Sequence, residues 1–354
     1  MGADFRPPLL LRAAGVALNG IWAISGSLRR PPLPAERNRT FALTVAHRRV
    51  VARDENVVAL TLTGVDGKPL PRWRPGAHLD VHLPSGRIRQ YSLCGNPARR
   101  DSYRIAVRRI PDGGGGSIEV HDALPVGATV TTGGPRNAFP LVVPGYGSPA
   151  RRLRFVAGGI GITPILPMLA TAQRVGVDWS MIYVGRSADS IPFRGELRRF
   201  GDRVRIRTDD TDGLPTADDL LGESLDGTTV YACGPAAMIT EIRQRLIGRT
   251  DVELHFERFA APPVLDGAEF TATAASSGLS VTVGATQSLL SALQRAGVNP
   301  PYSCQQGFCG TCRVRVLGGT VTHRDTLLTD AERRSQMLIC VSRAEAGGHL
   351  QLEI

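Results

Sequence analysis

Cysteines near the end of the chain have the type and spacing of metal ligands. Of six cysteines in 354 residues, three form a CxxxxCxxC run and a fourth follows after 27 intervening residues. These four are Cys304, Cys309, Cys312 and Cys340. Zinc sites usually pair their ligands as CxxC with a second CxxC or with two histidines, whereas this spacing is typical of a plant-type 2Fe-2S cluster. The four thiols are therefore predicted to hold such a cluster.

The loop between these cysteines supports the same interpretation. Gly307 and Gly310 lack a Cβ, so backbone N–H groups there can approach and hydrogen-bond the sulfurs. Disulfides and zinc are the alternatives; six cysteines are far below the density of a disulfide scaffold, and the ligand pairing disfavours zinc. Cys94 lies outside the cluster pattern and is expected to be a small buried apolar residue.

A second set of residues could hold a phosphate and a planar ring. Residues 89–93 read RQYSL after a predicted strand, where an arginine can pair with a phosphate, a tyrosine can stack on a ring, and a serine can bond ring nitrogens. Residues 113–117 read GGGGS before a predicted helix, and N–H groups at such a place can cradle an anion. An ordinary strand and a flexible hairpin tip are the structural alternatives.

A third set could bind a pyrophosphate. Residues 158–164, GGIGITP, follow a predicted strand and begin a predicted helix that Thr163 is expected to cap, with Pro164 in the first turn. Exposed N–H groups and the helix dipole favour an anion there. Residues 231–235, YACGP, end another predicted strand, and a buried structural thiol is the alternative to a functional Cys233.

The elements that must position these residues change character along the chain. From Phe41 to about residue 134, short β-rich runs alternate with turns, which suggests an antiparallel barrel or sandwich. From about residue 150, strands alternate with helical stretches, which predicts a parallel sheet with covered faces. After the proline-containing stretch 260–267, a small mixed domain is expected around the cysteines.

Taken together, the motifs resemble one known family. RQYSL, GGGGS, PRNAFPL (135–141), GGIGITP, YACGP, FERF (256–259) and the cysteine pattern occur in the order seen in the phthalate dioxygenase reductase family. The resemblance runs from about Phe41 to Ile354. It implies a multidomain fold: an antiparallel β-barrel flavin domain, an α/β parallel-sheet nicotinamide domain and an α+β (β-grasp) ferredoxin domain. The expected domains are a 1–40 extension with a Pro-rich linker, a 41–148 FMN-binding barrel, a 149–259 NAD(P)-binding domain, a 260–268 linker and a 269–354 ferredoxin domain.

The resemblance also implies which residues contact the cofactors. FMN, rather than FAD, is expected, because no adenosine pocket is evident after the glycine run. The residues implied for the flavin are Arg89, Tyr91, Ser92, Leu93, Val107, Gly115, Gly116, Ser117 and Thr163. Those implied for the nicotinamide nucleotide are Gly159, Gly161, Thr163, Arg186, Ser187, Cys233, Gly234 and Pro235. Ser92, Thr163 and Cys233 are expected nearest the reacting rings.

Two details bear on affinity and coenzyme choice. The family often carries an arginine within the glycine run, where this chain has only glycines, so phosphate affinity is in question. Arg186 could meet the 2′-phosphate of NADPH, but related NADH enzymes carry such an arginine too. The resemblance favours NADH, with NADPH as the alternative.

The three motifs together predict an electron-transfer enzyme. A nicotinamide gives electrons as a pair and a 2Fe-2S cluster takes one at a time, so a flavin between them resolves the mismatch. The resemblance implies an NADH-dependent oxidoreductase that reduces a partner oxygenase, expected to be of the Rieske type, or another one-electron acceptor protein. The alternatives are an FAD-containing reductase for a diiron or haem monooxygenase and a slow-turnover redox-sensing module.

Charge and the N-terminal stretch bear on partners and location. The net charge of +10 is spread in short basic groups without a nucleic-acid-binding motif, so an acidic protein partner is expected and a nucleic acid is not. Within residues 8–28 the apolar run falls short of the roughly 20 residues that span a bilayer, so a helix lying on the protein is expected, with membrane contact as the alternative. The thiol chemistry predicts a cytoplasmic location.

Overall fold

The computed structural model describes most of the chain from Thr40 onwards, and Thr40–Ile354 forms one compact unit. The described stretches are 40–54, 56–111, 114–143, 150–222, 224–259, 261–298 and 300–354. Apart from Thr40, the predicted 1–40 extension, including the helix expected within 8–28, lies outside the described residues. In these stretches no helix combines the length and the apolar character needed to cross a bilayer.

The first sheet is antiparallel and curls into a barrel. Its strands are β1 (Phe41–Ala52), β2 (Val57–Gly64), β3 (Ala77–His82), β4 (Ile88–Ser92), β5 (Ser102–Arg108), β6 (Thr129–Thr132) and β7 (Arg136–Asn137). They follow the order β4-β3-β6-β1-β2-β5, with β7 paired to β3. The ends of this order meet where the Cys94 N–H donates to the Arg104 carbonyl at 2.8 Å. Leu43, Leu79 and Ile105 are at most 1% exposed and belong to the barrel core.

Helix α1 (Gly116–Ala123) packs its apolar residues into the barrel core. It begins after Gly115, whose φ of 82° lies in the left-handed region that favours glycine. Val120 is fully buried and joins the barrel core together with Leu124. The helix predicted to follow the glycine run is therefore confirmed, and it fixes the run against the barrel.

The second sheet is parallel. Its strands are β8 (Arg152–Gly158), β9 (Asp178–Gly185), β10 (Val204–Thr208), β11 (Thr228–Cys233) and β12 (Glu253–Glu257), in the order β10-β9-β8-β11-β12. Its helices are α2 (Ile162–Val175), α3 (Arg194–Leu197), α4 (Asp209–Asp212), α5 (Ala217–Leu221) and α6 (Ala236–Arg245). Because the strands run parallel, the carboxyl ends of β8 and β11 lie side by side, with Cys233 opposite Ala157. Ligands of open parallel sheets bind at such an edge.

The expectation that Thr163 caps a helix is wrong. Helix α2 begins at Ile162 after the short 3-10 turn Gly159–Gly161, which places Thr163 inside the first turn. Its hydroxyl donates to the Ile160 carbonyl at 3.0 Å instead of accepting an N–H of the helix. Pro164 does occupy the first turn, as predicted.

The third sheet mixes parallel and antiparallel pairs. Its strands are β13 (Phe270–Ala274), β14 (Leu279–Val283), β15 (Arg313–Gly318), β17 (Gln336–Leu338) and β19 (His349–Leu352), in the order β14-β13-β19-β15-β17. The pair β16 (Val321–Thr322) and β18 (Arg343–Ala344) lies apart, and the helices are α7 (Leu289–Arg295) and α8 (Asp330–Arg333). Leu289 and Leu293 of α7 are fully buried in its core.

These sheets confirm the predicted fold class: an antiparallel barrel, a parallel α/β sheet and a mixed α+β unit with a parallel central pair, β13 and β19. The predicted domain boundaries at 148/149 and at 260–268 stay predictions.

Candidate functional site

One cleft is lined by residues from all three parts of the fold. Its walls include Arg89, Tyr91, Ser92, Val107 and Ser117 from the barrel, Thr163 and Glu257 from the parallel-sheet part, and Tyr302 and Cys304 from the part that carries the cysteines. With its open mouth the cleft holds about 1030 Å³ of empty space. Predicted flavin residues and a predicted cluster ligand thus share one wall.

Strand β4 presents the RQYSL residues to the cleft. Side chains alternate along a strand, so Arg89 and Tyr91 lie on the same face. Burial raises the pKa of Tyr91, which therefore stays protonated at neutral pH. Leu93 lies in the barrel core with no exposed surface, and its N–H donates to the Ala77 carbonyl at 2.8 Å. Its side chain fixes β4 rather than lining the cleft.

The described part of the glycine run lies against two arginines. Gly114 has a φ of +68°, and a Cβ added to Gly116 would come within 2.7 Å of the Arg89 side chain. A Cβ on Gly115 would lie 3.7 Å from the Arg87 guanidinium. The glycines leave a space that side chains would otherwise fill, and two arginines lie beside it. A phosphate site requires such a cradle. Arg87 brings a second cation to a run that lacks its own arginine.

Ser117 has a different contact from the one expected. Its hydroxyl accepts from the Ile110 N–H at 3.0 Å and lies 3.3 Å from the Ile110 carbonyl. In this structure Ser117 therefore holds the chain after β5 beside the start of α1, although it also lines the cleft. Gly113, the first glycine of the run, lies outside the described residues.

Buried polar atoms without a hydrogen-bond partner belong to residues that line the cleft. Among them are His78 Nε2, Glu257 Oε2 and Ser303 Oγ, and the residues that carry these three atoms come from the three parts of the fold. Leaving such an atom unsatisfied costs about 1–3 kcal/mol. A bound ring with its own donors and acceptors would satisfy them, so these residues fit a flavin.

Sequence reasoning missed these three residues as site residues. Glu257 lies within the FERF motif and could have been singled out from it, whereas nothing in the local sequence marks His78, at the second position of β3, as a cleft residue. Burial lowers the pKa of His78 to about 4, so the imidazole is neutral at pH 7.

Half-buried Glu257 and buried Cys233 are neighbours beside the cleft. They are register partners on β12 and β11. Burial of the Glu257 carboxyl raises its pKa to about 8, an effect that the nearby Ser92 hydroxyl opposes. Burial, and then the nearby Glu257, raise the pKa of Cys233, whose side chain has no exposed surface. The Cys233 thiol is therefore not a nucleophile, and Glu257 is the member of the pair that lines the cleft.

The two glycine motifs of the parallel sheet contact each other. A Cβ on Gly161 would lie 2.2 Å from the Cys233 carbonyl oxygen, and one on Gly158 would lie 2.6 Å from Pro235. Gly234 belongs to the same contact, since a Cβ there would be 3.0 Å from the Gly158 backbone. Gly159 turns the chain with a φ of +53°. Only glycine permits this approach, which leaves backbone N–H groups at the carboxyl edge, where a pyrophosphate fits.

Arg186 and Ser187 follow β9, further along the same edge. The Ser187 hydroxyl donates to the Asp54 carboxylate at 2.6 Å and accepts from the Ser190 N–H at 3.2 Å. Arg186 is exposed. The pair does not line the cleft among the described residues, so a nucleotide would have to extend along the edge to reach it.

The four predicted ligands are arranged as two thiol pairs. The neighbouring Cys304 thiol lowers the pKa of Cys309 to about 5. The neighbouring Cys340 thiol lowers the pKa of Cys312 in the same way. Within the described ranges no three ligating side chains converge on a single point. Two pairs of thiols are what two irons with two ligands each require, so this donor set fits a 2Fe-2S cluster.

We call residues 302–312 the cluster loop. The Gln306 N–H donates to the Cys304 sulfur at 3.3 Å, and Thr311 Oγ lies 3.4 Å from the Cys309 sulfur. Gly307 and Gly310 have φ values of +81° and +78°, so the loop can wrap close to its thiols. Hydrogen bonds from the N–H groups at these glycines to the sulfurs stay a prediction.

Three contacts hold the cluster loop to the other walls of the cleft. Arg89 contacts Tyr302, the Gln306 side-chain amide donates to the Arg258 carbonyl, and the Phe308 ring centroid lies 6.3 Å from that of His78. The loop is thus fixed against both the barrel and the end of the parallel sheet.

Comparison with known proteins gives consistent matches. Residues 272–345 match the family described as the 2Fe-2S iron-sulfur cluster binding domain. The toluene-4-sulfonate monooxygenase system reductase subunit of Comamonas testosteroni is 38% identical over 88% of this chain and 98% of its own length. The vanillate O-demethylase oxidoreductase of a Pseudomonas species is 40% identical over 84% of this chain and 95% of its own. The solved structure of phthalate dioxygenase reductase aligns with a TM-score of 0.65 at 34% identity, and the alignment covers 89% of this chain and 98% of that one. That structure is described as modular, for electron transfer from pyridine nucleotides to 2Fe-2S.

Proposed function

The chain belongs to the phthalate dioxygenase reductase family, and we propose that it passes electrons from NADH through FMN and a 2Fe-2S cluster to a Rieske-type oxygenase. The observation that carries the proposal is the shared cleft: Tyr91, Ser92 and Thr163 line it together with Cys304, the first predicted cluster ligand. An electron donor seated in this cleft would lie beside the cluster loop, so that transfer needs no separate protein carrier.

Each group of residues has a part in this proposal. A bound flavin supplies the ability to take electrons as a hydride pair and to release them singly to a cluster. Arg89 and the cradle of Gly115 and Gly116 bind the phosphate end. Tyr91 and Val107 form the apolar wall against the ring. The Glu257 carboxyl keeps its proton at neutral pH, so it adds no negative charge beside the ring.

The nicotinamide residues act at the adjoining edge. The N–H groups around Gly159 and Gly161 receive the pyrophosphate, and Thr163 lines the cleft where the two rings would meet. Gly234 and Pro235 shape the same edge through their contact with the glycine turn. Arg186 is exposed further along the edge. NADH rather than NADPH is proposed because the family resemblance favours it.

The partner would approach the cluster loop from outside the cleft. Cys309 is part-exposed, whereas Cys304, Cys312 and Cys340 are at most 7% exposed. Leu327, 38% exposed, packs beside Gly310 at this surface. The net charge of +10 supports an acidic partner surface. We place the reaction in the cytoplasm, where reducing conditions keep the ligand thiols free.

The test is NADH-driven reduction of two acceptors by the purified, cofactor-loaded protein. We expect rapid reduction of both ferricyanide and cytochrome c, with NADH preferred over NADPH, and FMN as the flavin released by acid. Cys309→Ser should abolish cytochrome c reduction while ferricyanide reduction persists, since only the cluster step is lost. FAD in the acid extract would favour a monooxygenase reductase of the alternative class, and turnover slower than about one per minute would favour a sensing module. Reduction of a purified Rieske-type oxygenase by the protein tests the partner class.

A further inference from the structure

Tyr302 links the predicted cluster to the predicted phosphate site. It lies two residues ahead of Cys304, yet its hydroxyl accepts a hydrogen bond from Arg89 Nη2 at 2.6 Å. Arg89 Nη1 also donates to the Tyr302 carbonyl at 3.3 Å, and the guanidinium carbon lies 4.1 Å from the centroid of the Tyr302 ring. One residue of the cluster loop thus engages Arg89 by a side-chain hydrogen bond, a backbone hydrogen bond and a cation–π contact.

The glycine run completes this arrangement. Arg89 Nη2 donates to the Gly114 carbonyl at 3.3 Å. A Cβ on Gly114 would lie 2.4 Å from the Tyr302 hydroxyl oxygen, so the absence of a side chain there lets the tyrosine reach the guanidinium. Tyr302 is therefore seated in the cradle itself, between the arginine and the glycines, and it is only part-buried.

We infer that Tyr302 is a phosphate-end residue of the flavin site, contributed by the cluster loop, and that through it the flavin phosphate governs where the cluster loop lies. The inference rests on the proposed function, because it takes the flavin to end in a phosphate. The phenol can donate its proton to a phosphate oxygen while its ring stays on Arg89. A phosphate held by Arg89 then stabilises the loop contact, and by reciprocity the loop contact strengthens phosphate binding.

The other ties of the loop provide a matched control. Gln306 holds the loop to the Arg258 carbonyl, away from the contacts that Tyr302 and Arg89 make with Gly114. Removing that amide weakens loop attachment without touching the contacts around Arg89. A purely structural role for Tyr302 would make Tyr302→Leu and Gln306→Ala behave alike, whereas a phosphate role separates them.

The first experiment compares two flavins that differ only in the phosphate. Flavin is removed from the full-length protein, and visible absorbance is used to check that the cluster is retained. The protein is then titrated with FMN and with riboflavin while flavin fluorescence is followed. We expect Tyr302→Phe to weaken FMN binding about 5- to 10-fold and Tyr302→Leu about 10- to 50-fold. Riboflavin affinity should stay within about 2-fold in both variants, and Gln306→Ala should leave the FMN-to-riboflavin ratio unchanged.

The inference would be overturned if Tyr302→Leu lost affinity for FMN and for riboflavin equally, so that the FMN-to-riboflavin affinity ratio did not change. Retained riboflavin binding shows that the variant is folded. If the wild-type protein binds neither flavin, the proposed function itself fails, and that outcome is distinct from a failure confined to Tyr302.

The second experiment tests the link to the cluster loop. Amide hydrogen exchange of residues 302–306 is measured in the wild-type protein with saturating FMN and with saturating riboflavin. We expect FMN to slow exchange in this segment more than riboflavin does, and Tyr302→Phe to reduce that difference. Equal protection by the two flavins in the wild-type protein would contradict the link.

Discussion

Glu257 and Cys233 are register partners on adjacent parallel strands, and they share one buried environment at the edge of the cleft. Ser92 on the barrel lines the same cleft as Glu257, so the pair lies where two parts of the fold meet and where a flavin and a nicotinamide would approach each other. A carboxyl in this position stays neutral at pH 7, and that property leads to two predictions.

The first prediction concerns stability against pH. Burial raises the pKa of Glu257 from 4.5 to about 8, so between these values the folded chain holds a proton that the unfolded chain has released. The corresponding stability is present below pH 4.5 and is lost as the pH rises to about 8. For the flavin-free protein, the free energy of unfolding should fall relative to Glu257→Gln between about pH 5 and about pH 8, by up to about 1.4 kcal/mol per pH unit, and the thermal midpoint should fall with it. A variant that follows the wild type across this range would contradict the raised pKa.

The second prediction concerns the rate of flavin reduction by NADH. Above about pH 8 the wild-type carboxyl carries a negative charge beside the ring, which disfavours the arrival of a hydride. Stopped-flow measurement should show a rate that falls on the alkaline side in the wild type and stays level in Glu257→Gln, whose amide has nearly the same shape and no charge. If both proteins lose rate alike, the charge of Glu257 has no part in the step.

The third prediction concerns His78 in acid. Burial lowers its pKa from 6.5 to about 4, so the unfolded chain takes up a proton first as the pH falls. Stability is therefore complete above about pH 6.5 and declines towards pH 4. His78→Phe, which keeps an aromatic contact with Phe308, should lose less thermal stability between pH 7 and about pH 5 than the wild type. An equal loss in both proteins would show that His78 does not titrate in this range.

The fourth prediction concerns the contact between the two glycine motifs. Gly161→Ala places a methyl group 2.2 Å from the Cys233 carbonyl oxygen, and relieving such a clash costs about 1–3 kcal/mol. We expect a lower thermal midpoint and a raised KM for NADH, with the flavin still bound because the barrel is untouched. Gly195→Ala is the control, since a Cβ there meets nothing within 4 Å. Equal behaviour of the two variants would mean that the edge can absorb the methyl group.

The fifth prediction concerns an ion pair between the barrel and the parallel-sheet part. Glu196 on α3 accepts from both terminal nitrogens of Arg104 on β5, at 2.8 and 3.0 Å, and also from Arg49 at 3.2 Å. Glu196→Gln should weaken this part-buried bidentate contact and lower the thermal midpoint by about 1–3 °C. Asp101→Asn, which breaks the exposed pair with Arg99, should leave the midpoint unchanged. A larger effect from Asp101→Asn would contradict this ranking.

Local patterns were enough to predict the three-part fold. Alternation in the early strands, the glycine turn at 158–161 and the spacing of the cysteines each depend on residues close together in the chain, and the corresponding elements are present. The start of α2 was predicted wrongly, because Thr163 uses its hydroxyl on the Ile160 carbonyl, and Gly161 takes the position before the helix. The choice between these two hydrogen-bonding patterns depends on the tight contact of Gly161 with the Cys233 backbone, which is not local.

The assembled cleft depends on contacts between distant residues. Arg89 and Tyr302 are 213 positions apart and Glu257 reaches a serine on another sheet. No motif marks His78, because its importance comes from lying 6.3 Å from Phe308 and from having a ring nitrogen without a partner.

The sequence by itself determined the chemistry that the chain can carry, because ligand types, glycine positions and the order of motifs are local properties that survive without a structure. Tertiary structure alone decided that the cluster loop forms a wall of the flavin cleft, that Cys233 lies buried behind Glu257, and that Tyr302 rests on Arg89. The physical reason is that burial, pKa and cation–π contacts arise from how separate elements pack together, and packing is not encoded at any single position.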